Sequence, residues 1–289
     1  MHPQVHIPVK ARIAMNKYLF YRISSRDNEK IRAKGFSKMA CFENLLACFP
    51  DYKVVCLADN CDRSVVDRLR QRGLYRLVET SLGNSGSFGR LLNVELNSLA
   101  ADDIVYFVED DYLHTDDARE RLEEGLRIFD YVTLYDHPDK YGAFLYEKNP
   151  FVPSGFLSEE TQIYKGKTCI WRVTNSTTMT FACHAKTIMQ DRRVWNLFTK
   201  DRKIPIDFYA WVALTWPRFR LMKINYRMYV VWAANVVRRW LGRRKRYLGV
   251  PLDSSSAHML DTMLPENFDS KFSAGTHASA GQTAERSRT

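Results

Sequence analysis

The stretch IVYFVEDD, residues 104–111, sets an apolar run rich in β-branched and aromatic residues directly against three carboxylates, Glu109, Asp110 and Asp111. Such a run reads as a buried strand, and the acids then stand at its carboxyl end. Side chains two apart on an extended chain point to one side, so Glu109 and Asp111 can face one cation while Asp110 turns away. Two unit charges ~4 Å apart repel by ~4 kcal/mol at an effective dielectric of 20, and a hard divalent ion with oxygen ligands reverses that sign. A solvated acidic loop ahead of a helix is the plainer explanation of the same residues.

Working back from this strand, Lys17 to Ser24 (KYLFYRIS) reads as another buried strand, ending in the polar cluster Ser24 to Asn28. Phe36 to Phe49 carries a helical apolar pattern, and Tyr52 to Ala58 (YKVVCLA) is a strand ending at Asp59 and Asn60. A helix over 64–71, a short strand over 75–79, a Gly and Ser rich turn over 83–89 and a helix over 90–99 lead into residue 104. This alternation predicts an α/β fold, a mostly parallel central sheet flanked by helices, with ligands at the carboxyl ends of the strands.

Beyond the acids, Thr115 is expected to cap a helix over 116–129, whose first turn holds Asp116 and Asp117 where the helix dipole favours them. Residues 135–167 are dense in Pro, Gly and aromatics and suggest a long functional loop. Strand-like composition returns over 169–183, and a helix is expected over 207–214. Arg218 to Arg246 contains no Asp or Glu, and its Arg and Lys residues alternate with aromatics, as in a basic amphipathic helix lying on an anionic membrane or, equally, a solvated basic helix packed on the catalytic domain by its aromatic face. From about Glu266 the composition predicts disorder. The expected organisation is a catalytic domain over 15–217, a C-terminal basic helical extension over 218–265 and a disordered tail over 266–289.

The chain has 289 residues, 45% of them hydrophobic, and a formal charge of +10, which suits a globular protein attracted to nucleic acid, anionic lipid or phosphorylated substrates. Its six cysteines show no CxxC spacing, so neither a zinc site nor a disulfide framework is indicated. Residues 1–14 lack the continuous apolar core of a secretory signal, and no stretch reaches the ~20 apolar residues that span a bilayer. The expected location is cytoplasmic, at most peripheral to the inner face of a membrane. The turn at 83–93 is followed by no GKS or GKT and lacks a full GxGxxG, which argues against a Walker loop and a dinucleotide dehydrogenase. The sequon Asn175-Ser176-Thr177 is read as chance.

FVEDD, residues 107–111, together with GNSGSFGRLLN, Gly83 to Asn93, resembles the inverting GT-A glycosyltransferases related to family 2. In them a strand ends in a DxD-type motif, here with Glu in the first place, and an Asn and Gly containing turn plus helix precedes it. The resemblance covers Lys17 to Tyr112 and weakens afterwards. It implies a GT-A fold and transfer of a sugar from a UDP, dTDP or GDP donor to a glycan or lipid-linked acceptor, with inversion. It also implies Mn2+ or Mg2+ held by Asp111, Glu109 and His258, the last from LGVPLDSSSAHML, with His114 as a competitor. Nucleotide-sugar contacts then fall to Ser25, Arg26, Asp59, Asn84, Ser85, Glu109 and Asp110, and Arg26 or Arg90 balances phosphate charge.

By the same resemblance the base that takes the acceptor's proton is Asp207, in KIPIDFYAW, where the family often has Glu-Asp and this chain has Ile206 before the Asp. An N-cap aspartate explains that residue equally, and Asp191 and Asp201 are alternatives. Two other functions stay open: a nucleic-acid-binding protein gripping phosphates through residues 218–246, and a metal-dependent nucleotidyltransferase sharing the same acids.

Overall fold

The computed structural model describes residues 15–26, 32–33, 36–138, 162–216, 226–265 and 268–272. Strands β1 (Lys17–Ile23), β2 (Lys53–Asp59), β3 (Arg76–Thr80) and β4 (Ile104–Glu109) pair in parallel in the order β3-β2-β1-β4. The sheet continues through β9 (Phe181–His184), β6 (Tyr131–Val132), β10 (Leu248–Pro251), β8 (Ile170–Thr174) and β7 (Ile163–Lys165). Within it only β8 and β9 run against the rest, so the expected mostly parallel α/β architecture is present. A second, antiparallel ribbon joins β5 (Tyr112–His114) to β11 (Ser256–His258).

The period of two in β1 decides the layering. Leu19, Tyr21 and Ile23 point into one core with Phe42 and Leu45 of α1 (Lys38–Cys48), Val66 of α2 (Arg63–Arg70) and Leu122 of α4 (Ala118–Ile128). Tyr18 and Phe20 point into the other, with Phe88 and Leu91 of α3 (Gly83–Asn93), Trp195 of α5 (Ala185–Thr199) and Trp211 of α6 (Asp207–Thr215). Both faces are covered, which is why these strands read as unbroken apolar runs.

Three local expectations are corrected. Residues 83–89 are the opening turns of α3 instead of a free turn: Gly83 takes φ +74, and the Asp59 carboxylate accepts the amide N–H groups of Leu82 and Gly83, supplying a cap that Gly and Ser propensity does not reveal. The helix expected over 90–99 is the end of α3 followed by a 3-10 turn, Glu95–Ser98. The Thr115 hydroxyl contacts the Asp117 carboxylate and the Ser255 carbonyl, so α4 begins only after Asp117.

Of the segment expected as an extension, helix α7 is Tyr226–Trp240, and residues 217–225 lie outside the described residues. Its later part enters the fold: β10 sits between β6 and β8, and β11 completes the ribbon. Phe272, just after the short helix α8 (Phe268–Lys271), is buried beside Met259, and the remainder of the expected tail, 273–289, lies outside the described residues. So does 139–161 of the expected loop.

Candidate active site

The acids at the end of β4 are met by cations of the chain itself. Glu109 Oε1 accepts from Arg22 Nη2 at 3.0 Å. Arg22, buried near the end of β1, also donates Nη1 to the Asn84 carbonyl and Oδ1 and to Ser87 Oγ, so it locks the start of α3 to the acidic strand. Asp110 Oδ2 accepts the Ser24 amide at 3.0 Å and lies 3.2 Å from Lys38 Nζ, which donates as well to the carbonyls of Ser24 and Arg26. Asp111 Oδ2 accepts from Arg32 Nη1 at 2.6 Å and lies 3.1 Å from His258 Nε2.

Two adjacent carboxylates in different company, Asp110 half-buried and Asp111 buried, are shifted in opposite directions. Burial, then the charge of Asp111, pushes Asp110 above the ordinary carboxylate range, with Lys38 and the Ser24 amide opposing. Burial works to raise Asp111 too, but His258 and Arg32 together outweigh it and hold that group well below the usual range.

His258 is delivered by a strand and not by the expected loop. The β11 register sets it opposite Tyr112, whose ring stacks on the imidazole at 4.8 Å and 3°. The Met259 amide donates to the Asp111 carbonyl, the Ala33 amide to the Met259 carbonyl, and Arg32 bridges to Leu260. Three segments distant in sequence, 32–33, 111–112 and 258–260, thus meet at one carboxylate.

For a divalent ion the donor chemistry of Asp111 and His258 is suitable, carboxylate and imidazole. Asp111 Oδ1 is buried without a hydrogen-bond partner, and so is His258 Nδ1. Glu109, the third expected ligand, is bonded to Arg22 instead, and among the described residues no three His, Cys, Asp or Glu side chains converge on a common point. Two of the three expected ligands are therefore brought together. His114, their competitor, is buried against Tyr106, whose hydroxyl lies 2.8 Å from its Nε2, and burial pushes its pKa down to about 3.

The other expected contacts spread along the carboxyl edge. Ser25 Oγ accepts the Asp62 amide at 2.7 Å, and Arg26 is exposed. Asp59 is committed to its own chain: Oδ1 accepts from Thr80 Oγ1 and the Leu82 amide, Oδ2 from Gly83 and Asn60. Beside it opens a cleft of about 290 Å³ lined by Asn60, Cys61, Glu79, Thr80 and Ser81. Ser85 Oγ is buried without a partner, whereas Arg90 is bonded to the buried Glu95.

Helix α5 starts against the amino end of β4, where the Ala185 amide donates to the Asp103 carbonyl, and climbs to the opposite edge. Asp207 is the first residue of the returning α6. One turn later Trp211 donates its indole N–H to the Thr178 carbonyl, and the Thr178 hydroxyl lies 2.8 Å from that of Tyr112. Asp207 accordingly opens on the same edge as the acids. Of its alternatives, Asp191 is buried and bonded to Arg246 and Tyr131, and Asp201 is exposed with φ 57 in the turn after α5.

Arg22, Arg32 and Lys38 are absent from the sequence-based site. Arg22 carried a signal, being the one charged residue inside the apolar strand YLFYRI. Arg32 and Lys38 carried none.

No family model matches the sequence, and no curated protein matches it. Solved structures resemble it remotely. S. aureus TarS is 15% identical with a TM-score of 0.40, covering 68% of this chain and 54% of that one. The galactosyltransferase LgtC, in complex with donor and acceptor sugar analogs, is 10% identical with a TM-score of 0.39, covering 67% and 69%. The bifunctional IspDF from Campylobacter jejuni is 11% identical with a TM-score of 0.37, covering 70% of this chain and 48% of its own, so the chain spans about half of that protein. Among the described residues no helix is long and apolar enough to cross a membrane.

Proposed function

We propose that this chain is a glycosyltransferase, moving a sugar from a nucleoside-diphosphate donor to a hydroxyl of a glycan or lipid-linked acceptor with inversion. The observation that carries the reading is the carboxylate run at the end of β4, set beside the carboxyl ends of the parallel strands β1 and β2, with Asp111 closed on by His258. Ligands of open α/β sheets bind at that edge. The cleft beside Asp59 is the place for the nucleoside, and the loop 24–26, held by Lys38 and Asp110, lies between it and the acids.

Asp111 and His258 would hold Mn2+ or Mg2+, which when bound offsets the charge gathering on the departing diphosphate. Asp207 is the proposed base, taking the proton of the attacking hydroxyl opposite the leaving group. Glu109 and Asp110, anchored by Arg22 and Lys38, keep the strand end fixed against the donor.

The test is thermal stabilisation of the protein by UDP, dTDP and GDP compounds with and without Mn2+ or Mg2+, followed by product analysis. A ligand that binds only the folded state raises its stability. Metal-dependent stabilisation and a released nucleoside diphosphate support the reading. With a nucleoside triphosphate and a sugar phosphate supplied instead, released pyrophosphate means nucleotidyl transfer, and with the nucleotide-sugar a product that keeps the donor's anomeric configuration removes inversion.

A further inference from the structure

Helix α7 is built inside out relative to a helix that merely packs on a domain. Its inward stripe is narrow: Val231 lies in an apolar cluster with Phe208 and Val212, Asn235 Nδ2 donates to the Val212 carbonyl at 3.2 Å, and Arg238 donates to the Ala213 carbonyl. The opposite face, at helical spacing from Tyr229 and Val230 through Val236 and Val237 to Trp240, is apolar and exposed, with Val237 57% and Trp240 92% accessible. Leu241 extends it at 74%. Solvent-facing helix surfaces ordinarily carry charge, and an apolar patch of this kind marks an interaction site.

The flanks say what the patch meets. Arg239 and Arg243 are exposed at its end, Arg244 beside them is bonded to Asp130, and no Asp or Glu occurs from Arg218 to Arg246. We infer that α7 is an interfacial anchor that lies on an anionic lipid surface, its apolar face entering the acyl boundary and its arginines meeting the headgroups. Aromatic and aliphatic side chains flanked by basic ones are the composition such helices use. Each basic residue near such a surface adds roughly 1 kcal/mol of attraction, about fivefold in affinity. Pairing with a second copy would set like charges face to face, and a phosphate backbone would find no cation at the centre of the patch.

The experiment is co-sedimentation of the full chain with vesicles of phosphatidylcholine alone or with phosphatidylserine added, which needs no sugar donor and so stands apart from the test of transfer. The expected result is binding to the anionic vesicles only, weakened by salt, lost in Trp240→Glu and reduced roughly 25-fold in the double variant Arg239→Gln, Arg243→Gln. These side chains are exposed, and an unchanged melting temperature in each variant establishes that the fold survives. No binding to anionic vesicles overturns the inference. Binding that survives Trp240→Glu does so too, as does a dimer without vesicle binding that Trp240→Glu dissociates, or salt-sensitive binding to nucleic acid in place of lipid.

Discussion

His258 Nε2 reaches Oδ2 of Asp111 across 147 residues, and the same oxygen accepts from Arg32. Truncating one partner of a buried ion pair leaves the other's charge uncompensated, at a cost of about 3–5 kcal/mol. Asp111→Ala is therefore expected to lower stability by about that much, through the stranded Arg32. Adding Arg32→Met should recover a large share, because the orphaned charge goes with it. Urea unfolding of the two single variants and the double reads the coupling, and additive losses would dismiss it.

Asp207→Asn separates binding from turnover. The amide keeps the shape but cannot accept the acceptor's proton, so the rate should fall at least ~100-fold. Stabilisation by the nucleotide-sugar should be unchanged. Retained turnover would take the base role from Asp207.

Asp59 is expected to act on stability before anything else. Its carboxylate accepts the Leu82 and Gly83 amides that open α3, so Asp59→Ala should cost about 1–2 kcal/mol, the worth of a lost cap. Chemical denaturation without any ligand is the measurement, and an undiminished midpoint would return Asp59 to a purely ligand-facing role.

His114 gives a pH dependence with a definite sign. Its folded pKa, pushed down to about 3 by burial, lies below the ordinary value of 6.5, so between these the unfolded chain binds the extra proton. Stability should then fall as pH drops from 6.5 towards 3, by up to about 1.4 kcal/mol per pH unit from this group. His114→Gln can still receive the Tyr106 hydroxyl but does not titrate, so its stability profile should be shallower across that window. Identical slopes in variant and wild type would rule this out.

The alternating half of the fold was open to reading because β1, β2 and β4 are apolar runs that each end in a polar cluster. The candidate site was legible only in pieces. Asp111 and His258 were both candidates, yet their meeting depends on a ribbon of two three-residue strands, too short to carry a pattern. Arg32 and Lys38 take part through tertiary placement, which local sequence does not encode. β10 was missed for a related reason: it spans four residues, one of them Gly249, where an added Cβ would stand 2.1 Å from the Phe129 ring. Propensity counts such a glycine against a strand, while close packing requires it.

Because β10 lies between β6 and β8, the order of the strands in space differs from their order of synthesis. Strands β1 to β4 can assemble as soon as they leave the ribosome, each beside a neighbour already made. The hairpin of β7 and β8 has no such berth until residues 248–251 arrive, and until then β6 also presents an open edge able to pair with other chains. A nascent chain arrested short of residue 248 would thus be a half-built sheet with sticky margins, which residues 248–251 close together.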